Sequence, residues 1–301
     1  MNQRFTLLLY TLFCVAFASC YNPVDLELEN TEHQLVVIAE MEEGKKPFFN
    51  ISTTFSVNSQ PEEFEPNTVF VTLMEASNEN TPIEFRPQGG TNQTMFFLPG
   101  NSYEPQVGET FSLNVRVEDS NFDDITGTTT MPQRGNIETF NSVKIGETNS
   151  DFTEIDISLN MSETPDEGSF YHLTPYLLDD NGDQIFPDFS SITVGKNGTF
   201  VLSHRHGILI DNNDLDDTNL LEFTLRTISP INFDQLADSN LYFKLNTVAE
   251  EYYRYYKSVS KQFETDQSPF TVPVLSYSQF DNGYGVFTAF SSEILDTPIE
   301  L

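Results

Sequence analysis

Alternation of apolar and polar residues dominates this chain and predicts β-strands. Within 109–118, every second residue from Phe111 to Val117 is apolar, so one face of this strand is expected to be buried and the other exposed to water. Similar segments, rich in β-branched and aromatic residues, occur at 34–40, 48–57, 68–73 and 93–98. Turns containing proline, glycine and asparagine separate them. Residues 32–133 are therefore predicted to form an immunoglobulin-like antiparallel β-sandwich.

The strand pattern resumes after a polar break at 133–136 and predicts a second β-rich domain, 134–301. In 152–159, isoleucine and leucine alternate with polar residues. Further strands are predicted at 169–178, 191–203, 207–210 and 220–229. The fold class is thus mainly β, with an N-terminal sandwich followed by a second β-rich domain that carries one C-terminal amphipathic helix.

That helix is predicted at 247–263. Thr247 and Glu250 have the spacing of a capping box, in which each side chain bonds a backbone N–H at the start of a helix. Apolar residues then recur at helical intervals and form one stripe, which we expect to pack against the second sheet. The stripe consists of Val248, Tyr252, Tyr255, Val259 and Phe263. Tyr253 and Tyr256 lie off it and are expected to be exposed.

The N-terminal residues predict a lipoprotein signal peptide, 1–19. A short basic start precedes an apolar run from Phe5 to Phe17, and two small residues precede Cys20. Cleavage of such a signal requires small side chains before a cysteine whose thiol has received a lipid, so Cys20 is the predicted lipidation site. The run is shorter than the ~20 residues that a membrane-spanning helix needs. The acidic, proline-containing segment 20–31 is expected to tether the lipid to the first domain.

Charge and cysteine content narrow the function classes. The chain has 46 acidic and 14 basic residues, a net charge of −32, so a nucleic-acid partner is excluded because a polyanion would be repelled. Of its two cysteines, Cys14 lies inside the signal and Cys20 ends it, so no disulfide is expected in the mature chain. The absence of tryptophan weakens a glycan-binding role, since sugars commonly stack on that side chain.

The segment 268–291 carries a family resemblance. It follows the tyrosine-rich helix and contains a proline-flanked apolar strand and the sequence NGYGVF at Asn282–Phe287. This combination resembles the C-terminal signature of a Bacteroidota lipoprotein family, domain of unknown function 4249, and segments 103–117 and 127–132 resemble its upstream strands. The resemblance implies an envelope lipoprotein, often encoded near a TonB-dependent outer-membrane transporter, without agreed catalytic residues. Asparagine and glycine in the NGYGVF sequence tolerate positive φ, and we expect a tight turn and close strand approach there.

Two histidines form the first candidate metal site. If His204 and His206 lie in a strand, both imidazoles point to one face and could share a zinc ion. The spacing specifies no third ligand, since His172 and His33 are distant in sequence. Zinc is therefore the weaker of the two metal hypotheses.

An acidic segment forms the second candidate metal site. The oxygen ligands of Asp211, Asn213, Asp216 and Asp217 could bind calcium, which takes six to eight oxygens. The segment lacks the glycine and the distal glutamate of an EF-hand loop, and the alternative is a solvated turn between strands. The similar segment 179–183 is more readily explained as an Asn-Gly turn. Apart from calcium, no cofactor is predicted.

No spacing typical of a protease, an α/β-hydrolase or a phosphate-binding loop occurs in the chain. The leading hypothesis is therefore a non-catalytic lipoprotein, anchored in the outer membrane on an undetermined side, that serves as an accessory or binding partner of a TonB-dependent transporter. The alternatives are a carbohydrate-active or other hydrolytic surface protein and a structural or adhesive module. We also expect removal of residues 250–301 to unfold the second domain and to spare the first.

Overall fold

The computed structural model describes most of the chain from His33 onward. It covers residues 33–54, 68–77, 81–89, 94–97, 103–118, 120–162, 169–194, 200–214, 220–238, 240–266 and 276–298. The predicted signal peptide, Cys20 and the tether lie outside the described residues, as do Asp216 and Asp217. Lipidation and the complete calcium site therefore stay predictions.

Seventeen strands and one α-helix make up the regular structure of the described residues. The first seven strands are β1 (Leu35–Glu42), β2 (Phe48–Thr53), β3 (Val69–Glu75), β4 (Ile83–Gly89), β5 (Thr94–Phe97), β6 (Thr110–Val117) and β7 (Ile125–Thr130). The others are β8 (Ile137–Thr148), β9 (Thr153–Met161), β10 (Phe170–Leu178), β11 (Gln184–Ile185), β12 (Phe189–Val194), β13 (Phe200–Leu202), β14 (Ile208–Asp211), β15 (Leu220–Thr227), β16 (Asn240–Val248) and β17 (Tyr284–Pro298). The helix α1 is Glu250–Asp266. The predicted mainly β class with one C-terminal helix is confirmed.

The strands pair into a large sheet and a small one. The order in the large sheet is β13-β14-β10-β16-β17-β1-β2-β5-β4-β3-β6-β7, with β11 attached to β10, and the small sheet has the order β12-β15-β9-β8. β1 and β17 pair in parallel, whereas the other pairs of described strands are antiparallel. Strands from both halves of the sequence thus share one sheet, and residues His33–Leu301 form one compact unit.

Alternation places the apolar residues as predicted. Phe111, Leu113, Val115 and Val117 of β6 are buried in a first hydrophobic core, most of whose residues lie between Leu35 and Met131. A second core collects residues between Ile137 and Leu245. The change from the first core to the second coincides along the sequence with the predicted domain boundary near residue 133.

The C-terminal strand crosses that boundary. Residues Val36–Glu42 of β1 pair with Tyr284–Phe290 of β17, and Phe280, Phe287 and Ala289 are buried in the first core. The other edge of β17 pairs with β16, which lines the second core. This corrects the assignment of the C-terminal segment to the second domain alone. The effect of removing residues 250–301 on the first half stays a prediction, and the pairing of β17 with β1 now favours a loss of stability in both halves.

The helix differs from its prediction in start and in buried face. Thr247 lies in β16, where its hydroxyl accepts a hydrogen bond from the backbone N–H of Gly135, so the predicted capping box is wrong. Tyr253 and Tyr256 are buried, whereas Phe263 is 54% exposed. The side of α1 that packs on the sheet carries Tyr252, Tyr253 and Tyr256. These three tyrosines contact a cluster of strand residues, Phe170, Leu209 and Val248. Thr247 and Val248 pair with strands on both sides, β10 and β17, so the helix begins after them.

Among the described residues, no helix has the length and apolar character needed to cross a membrane.

Candidate functional site

A cleft of 360 Å³ lies on the large sheet, and its lining comes from both halves of the chain. Its floor consists of the adjacent strands β10, β16, β17, β1 and β2. On β1, Ala39 and Met41 point into the first core, so the alternate residues Glu40 and Glu42 point to the opposite face and into the cleft. Helix α1 and the turn between β13 and β14 also contribute side chains.

An ion pair ties the β13–β14 turn to β1. Nη1 of Arg205 lies 2.5 Å from Oε1 of Glu40 and donates to the hydroxyl of Tyr256 at 2.8 Å. The Tyr256 hydroxyl donates to the same Glu40 oxygen, and the Arg205 guanidinium lies 4.9 Å above the Tyr256 ring. Burial acts to lower the pKa of Arg205, but Glu40 and Tyr256 outweigh it and hold that pKa above its ordinary value. Burial, followed by the charge of Glu40, raises the pKa of Tyr256, so the phenol stays protonated.

His172 is a buried, neutral imidazole with a defined tautomer. Its Nε2 lies 2.7 Å from the carbonyl oxygen of His206, and because a carbonyl can only accept, Nε2 carries the proton. Its Nδ1 then accepts from the hydroxyl of Tyr252 at 2.8 Å. Burial lowers the pKa of His172 to about 4, so the ring is uncharged at neutral pH. Both nitrogens are engaged within the protein, and neither is available as a base.

Glu42 is shared between two lysines. Its Oε1 lies 2.8 Å from Nζ of Lys45 and 3.3 Å from Nζ of Lys244, and it accepts a hydrogen bond from Ser292. Burial acts to raise the pKa of Glu42, but the two lysines and Ser292 outweigh it and lower that pKa below its ordinary value. The carboxylate is therefore ionised and neutralises one of two neighbouring positive charges.

The β13–β14 turn is pinned against β10 by its backbone. His206 has φ of +69°, the left-handed region that L-residues rarely occupy, and Gly207 follows with φ of +80°. A Cβ on Gly207 would lie 2.2 Å from the carbonyl oxygen of Leu173, so only glycine fits. This close approach brings the His206 carbonyl to His172 and Arg205 to Glu40.

A second cleft, of 510 Å³, lies next to the same turn. His204 stacks on Phe263 with ring centroids 5.0 Å apart, and its Nδ1 lies 3.3 Å from the hydroxyl of Ser260. His206 stacks on Phe186 at 5.6 Å and has its Nδ1 3.3 Å from Oδ1 of Asp188. Burial lowers the pKa of His204.

These positions change the zinc hypothesis. His204 and His206 lie in a turn and not in a strand, so the premise that both imidazoles share a strand face is wrong. Each ring has a different set of partners, and His172 contacts the turn through a backbone carbonyl. In the described part of the chain, no group of three or more His, Cys, Asp or Glu side chains could hold a metal ion.

Half of the candidate calcium site is described. Oδ1 of Asp211 accepts hydrogen bonds from the backbone N–H of Asn213 at 3.0 Å and from its Nδ2 at 2.8 Å. Residues Asn212–Asp214 form a short 3₁₀ turn after β14. The comparable segment at 179–183 is a turn in which the carboxylate of Asp179 accepts from the N–H groups of Asn181 and Asp183. These contacts agree with the alternative that both segments are turns. Whether Asp216 and Asp217 bind calcium stays a prediction.

Sequence reasoning did not identify the residues of the first cleft. Glu40 and Arg205 are 165 residues apart, and no local spacing connects them. The sequence signal that could have pointed to them is the small number of basic residues, 14 in an acidic chain. Four of these basic residues line the cleft, namely Lys45, Lys46, Arg205 and Lys244.

Comparison with known proteins gives a family and no activity. A family model described as a domain of unknown function, DUF4249, matches residues 21–294. No curated protein matches the chain.

Proposed function

Because the chain belongs to the DUF4249 family, whose description names no activity, we propose its function from the cleft and from the N-terminal residues. The protein is a non-catalytic envelope lipoprotein, anchored in the outer membrane through an acylated Cys20, that binds a ligand in the cleft beside Glu40 and Arg205. It acts as an accessory component of a TonB-dependent outer-membrane transporter. The transporter partner comes from the family resemblance, and the anchor comes from the signal sequence.

One observation carries the binding role: the polar groups of the cleft are held in place before any ligand arrives. Arg205 is fixed by Glu40 and Tyr256, and Lys244 is held between Glu42 and the ring of Phe290, whose centroid lies 5.6 Å from Nζ. Preorganised polar groups in a concave site reduce the entropic cost of binding. A structural or adhesive module has no need of such a site.

A hydrolytic role is the second candidate, because Glu40 and Glu42 place two carboxylates in one cleft. A general acid requires a carboxyl group with a raised pKa, whereas the lysines and Ser292 lower the pKa of Glu42. His172 cannot take its place, since both of its ring nitrogens are hydrogen-bonded within the protein. Chromogenic glycosides and esters incubated with the wild type and with Glu42→Gln test this role. Turnover that is abolished by the substitution would replace the binding proposal with an enzymatic one.

The anchor is tested with Cys20→Ser. We expect the variant to remain an uncleaved precursor that does not incorporate radioactive palmitate, while the wild type matures and is labelled. Maturation and labelling of the variant would exclude a lipid at this position.

The partner is tested by affinity purification of the tagged full chain from detergent-solubilised outer membranes after mild cross-linking. A transporter should be recovered with the wild type and be depleted with Cys20→Ser, because only the lipidated form is expected to reach the outer membrane. Repeated purifications that yield no transporter would remove the partner from the proposal, whereas the anchor and the binding cleft would stand on their own tests.

A further inference from the structure

The first cleft has the opposite charge balance to the protein around it. The whole chain carries 46 acidic and 14 basic residues, yet among the described residues that line the cleft four are basic and two are acidic. The six are Glu40, Glu42, Lys45, Lys46, Arg205 and Lys244. With His172 neutral, this described part of the lining has a net positive charge in a protein whose net charge is −32.

The ion pairs within the cleft leave part of this positive charge unbalanced. Glu40 balances Arg205, at an Nη1 to Oε1 distance of 2.5 Å. Glu42 faces two ammonium groups, Lys45 at 2.8 Å and Lys244 at 3.3 Å, and one carboxylate can neutralise only one of them. The Lys45 side chain is 64% exposed and that of Lys244 is 29% exposed, so both can be reached from solvent.

A hydrogen-bond donor lies beside this surplus charge. Asn246 is next to Lys244 on the same face of β16, and its side-chain amide lies 2.8 Å from the hydroxyl of Ser292. Ser292 has one proton to donate, either to Glu42 or to Asn246, and in both cases the NH₂ of Asn246 keeps at least one N–H for a ligand. Ammonium and amide donors that converge on one place recognise a carboxylate or a phosphate.

Aromatic rings form the apolar part of the same cleft. Phe48 is 49% exposed and Phe186 is 37% exposed, while Phe290 lies between Lys244 and the helix. Large apolar side chains that are left exposed in a concave site gain free energy when a ligand covers them. The volume of 360 Å³ lies within the range of small-molecule sites, about 300–1,000 Å³.

From this arrangement we infer that the cleft binds a small anionic molecule that carries an apolar or aromatic body. The carboxylate or phosphate of the ligand lies at Lys45, Lys244 and Asn246, and its apolar part packs on Phe48, Phe186 and Phe290. This inference rests on the proposed binding function and names the ligand class that the site selects. Lys244 and Asn246 lie on β16 within the large sheet, and Lys45 lies in the turn that follows β1.

The test compares matched probes on the full-length protein purified in mild detergent. The probes are N-acetyl-phenylalanine, its uncharged amide and phenyl phosphate, measured by isothermal titration calorimetry and by ligand-observed NMR. We expect at least one anion to bind at micromolar to millimolar concentration and the amide to bind at least about tenfold more weakly, with anion affinity falling as salt is raised. The two anions distinguish a carboxylate site from a phosphate site.

Variants locate the binding. Lys244→Gln and Lys45→Gln should each weaken anion binding by about tenfold or more, since each leaves Glu42 with one fewer positive neighbour. Lys144→Gln removes the same charge from β8, outside the cleft, and should leave anion binding unchanged. Lys45 is largely exposed, so its substitution still yields folded protein if Lys244→Gln does not.

Three results would overturn the inference: equal binding of the acid and the amide, unchanged anion affinity in both cleft variants, or no binding of either anion. Equal binding of acid and amide would leave the general binding role intact while removing the preference for anions. Failure of the lipidation or transporter experiments would leave the calorimetric result standing, so the two proposals can fail separately.

Discussion

Arg205 and Glu40 lie 165 residues apart in the sequence and form an ion pair whose Nη1 and Oε1 atoms are 2.5 Å apart. The pair links the β13–β14 turn to β1. The hydroxyl of Tyr256 on α1 accepts a hydrogen bond from Arg205 and donates one to Glu40. Three elements that are remote in sequence therefore meet at one charged contact beside the cleft.

The energy of this contact can be measured by a double-mutant cycle of Arg205→Gln and Glu40→Gln. The Arg205 side chain is 42% exposed, so solvent screening places the coupling between exposed and buried pairs, at about 1–2 kcal/mol. The free energy of unfolding is measured by urea denaturation. The control cycle uses Arg254 and Glu250, an exposed pair on α1, where about 0.3–0.5 kcal/mol is expected. A coupling free energy between Arg205 and Glu40 that is no larger than that of the control pair would contradict the prediction that this partly buried ion pair stabilises the fold.

His172 should make stability depend on pH. Its pKa is about 4 in the folded protein and about 6.5 when unfolded, so between these values the unfolded chain binds more protons and stability falls as pH falls. Lowering the pH from 7 to 5 should cost about 2 kcal/mol through this group alone. The free energy of unfolding is measured by urea denaturation at both pH values. Its decrease from pH 7 to pH 5 should be smaller in His172→Gln than in the wild type by that amount.

NMR provides an independent check of the same group. The ¹⁵N chemical shifts of His172 should report a proton on Nε2 and none on Nδ1, and they should not titrate between pH 7 and pH 5. Titration of this ring near pH 6.5 would show that burial does not control its charge.

Gly285 should be intolerant of a side chain. It has φ of +111°, and a Cβ would lie 2.0 Å from the carbonyl oxygen of Val37 on β1. Gly285→Ala adds backbone strain to a backbone clash and should cost about 3 kcal/mol or more. Gly182→Ala provides the control, because Gly182 has φ of +82° with nothing within 4 Å of the added Cβ, and about 1 kcal/mol is expected there. Equal losses of unfolding free energy at both sites would remove the close approach as the cause.

β17 should stabilise the first half of the chain. Phe287 is fully buried in the first core, 6.2 Å from the ring of Phe49, so Phe287→Ala should cost about 3–5 kcal/mol. Ile294 on the same strand is 62% exposed, and Ile294→Ala should change stability by no more than about 0.5 kcal/mol. Thermal and urea unfolding of both variants measure the difference, and a loss below about 1 kcal/mol for Phe287→Ala would contradict it.

Truncation extends this prediction from one side chain to the whole strand. A chain that ends at residue 275 lacks all of β17, so β1 loses its parallel neighbour and the first core loses Phe280, Phe287 and Ala289. We expect neither half to give a cooperative transition or a protease-resistant fragment, whereas removal of 299–301 alone should preserve both. A stable N-terminal fragment from the chain ending at 275 would restore the view of an independent first domain.

The sequence by itself determined which segments become strands and which of their residues are buried. The alternation from Phe111 to Val117 places one face of β6 in the core, because successive side chains of a strand point to opposite sides. It also indicated that Gly285 can adopt a positive φ, which is a local property of a residue without a Cβ, whereas its close approach to Val37 depends on the pairing of β17 with β1. The family resemblance, too, could be identified from the C-terminal residues and is confirmed by the match over residues 21–294.

Tertiary structure alone decided what the helix buries and where the cleft lies. The pairing of β16 with β10 and β17 extends that strand through Val248, so α1 begins after it. The packing of α1 on the sheet buries Tyr253 and Tyr256 and leaves Phe263 exposed. Likewise, Glu40, Arg205 and Lys244 become neighbours only because the last strand pairs with the first and joins both halves in one sheet. Contacts between residues so distant in sequence leave no periodic pattern, since periodicity reports only which way each side chain points along its own element.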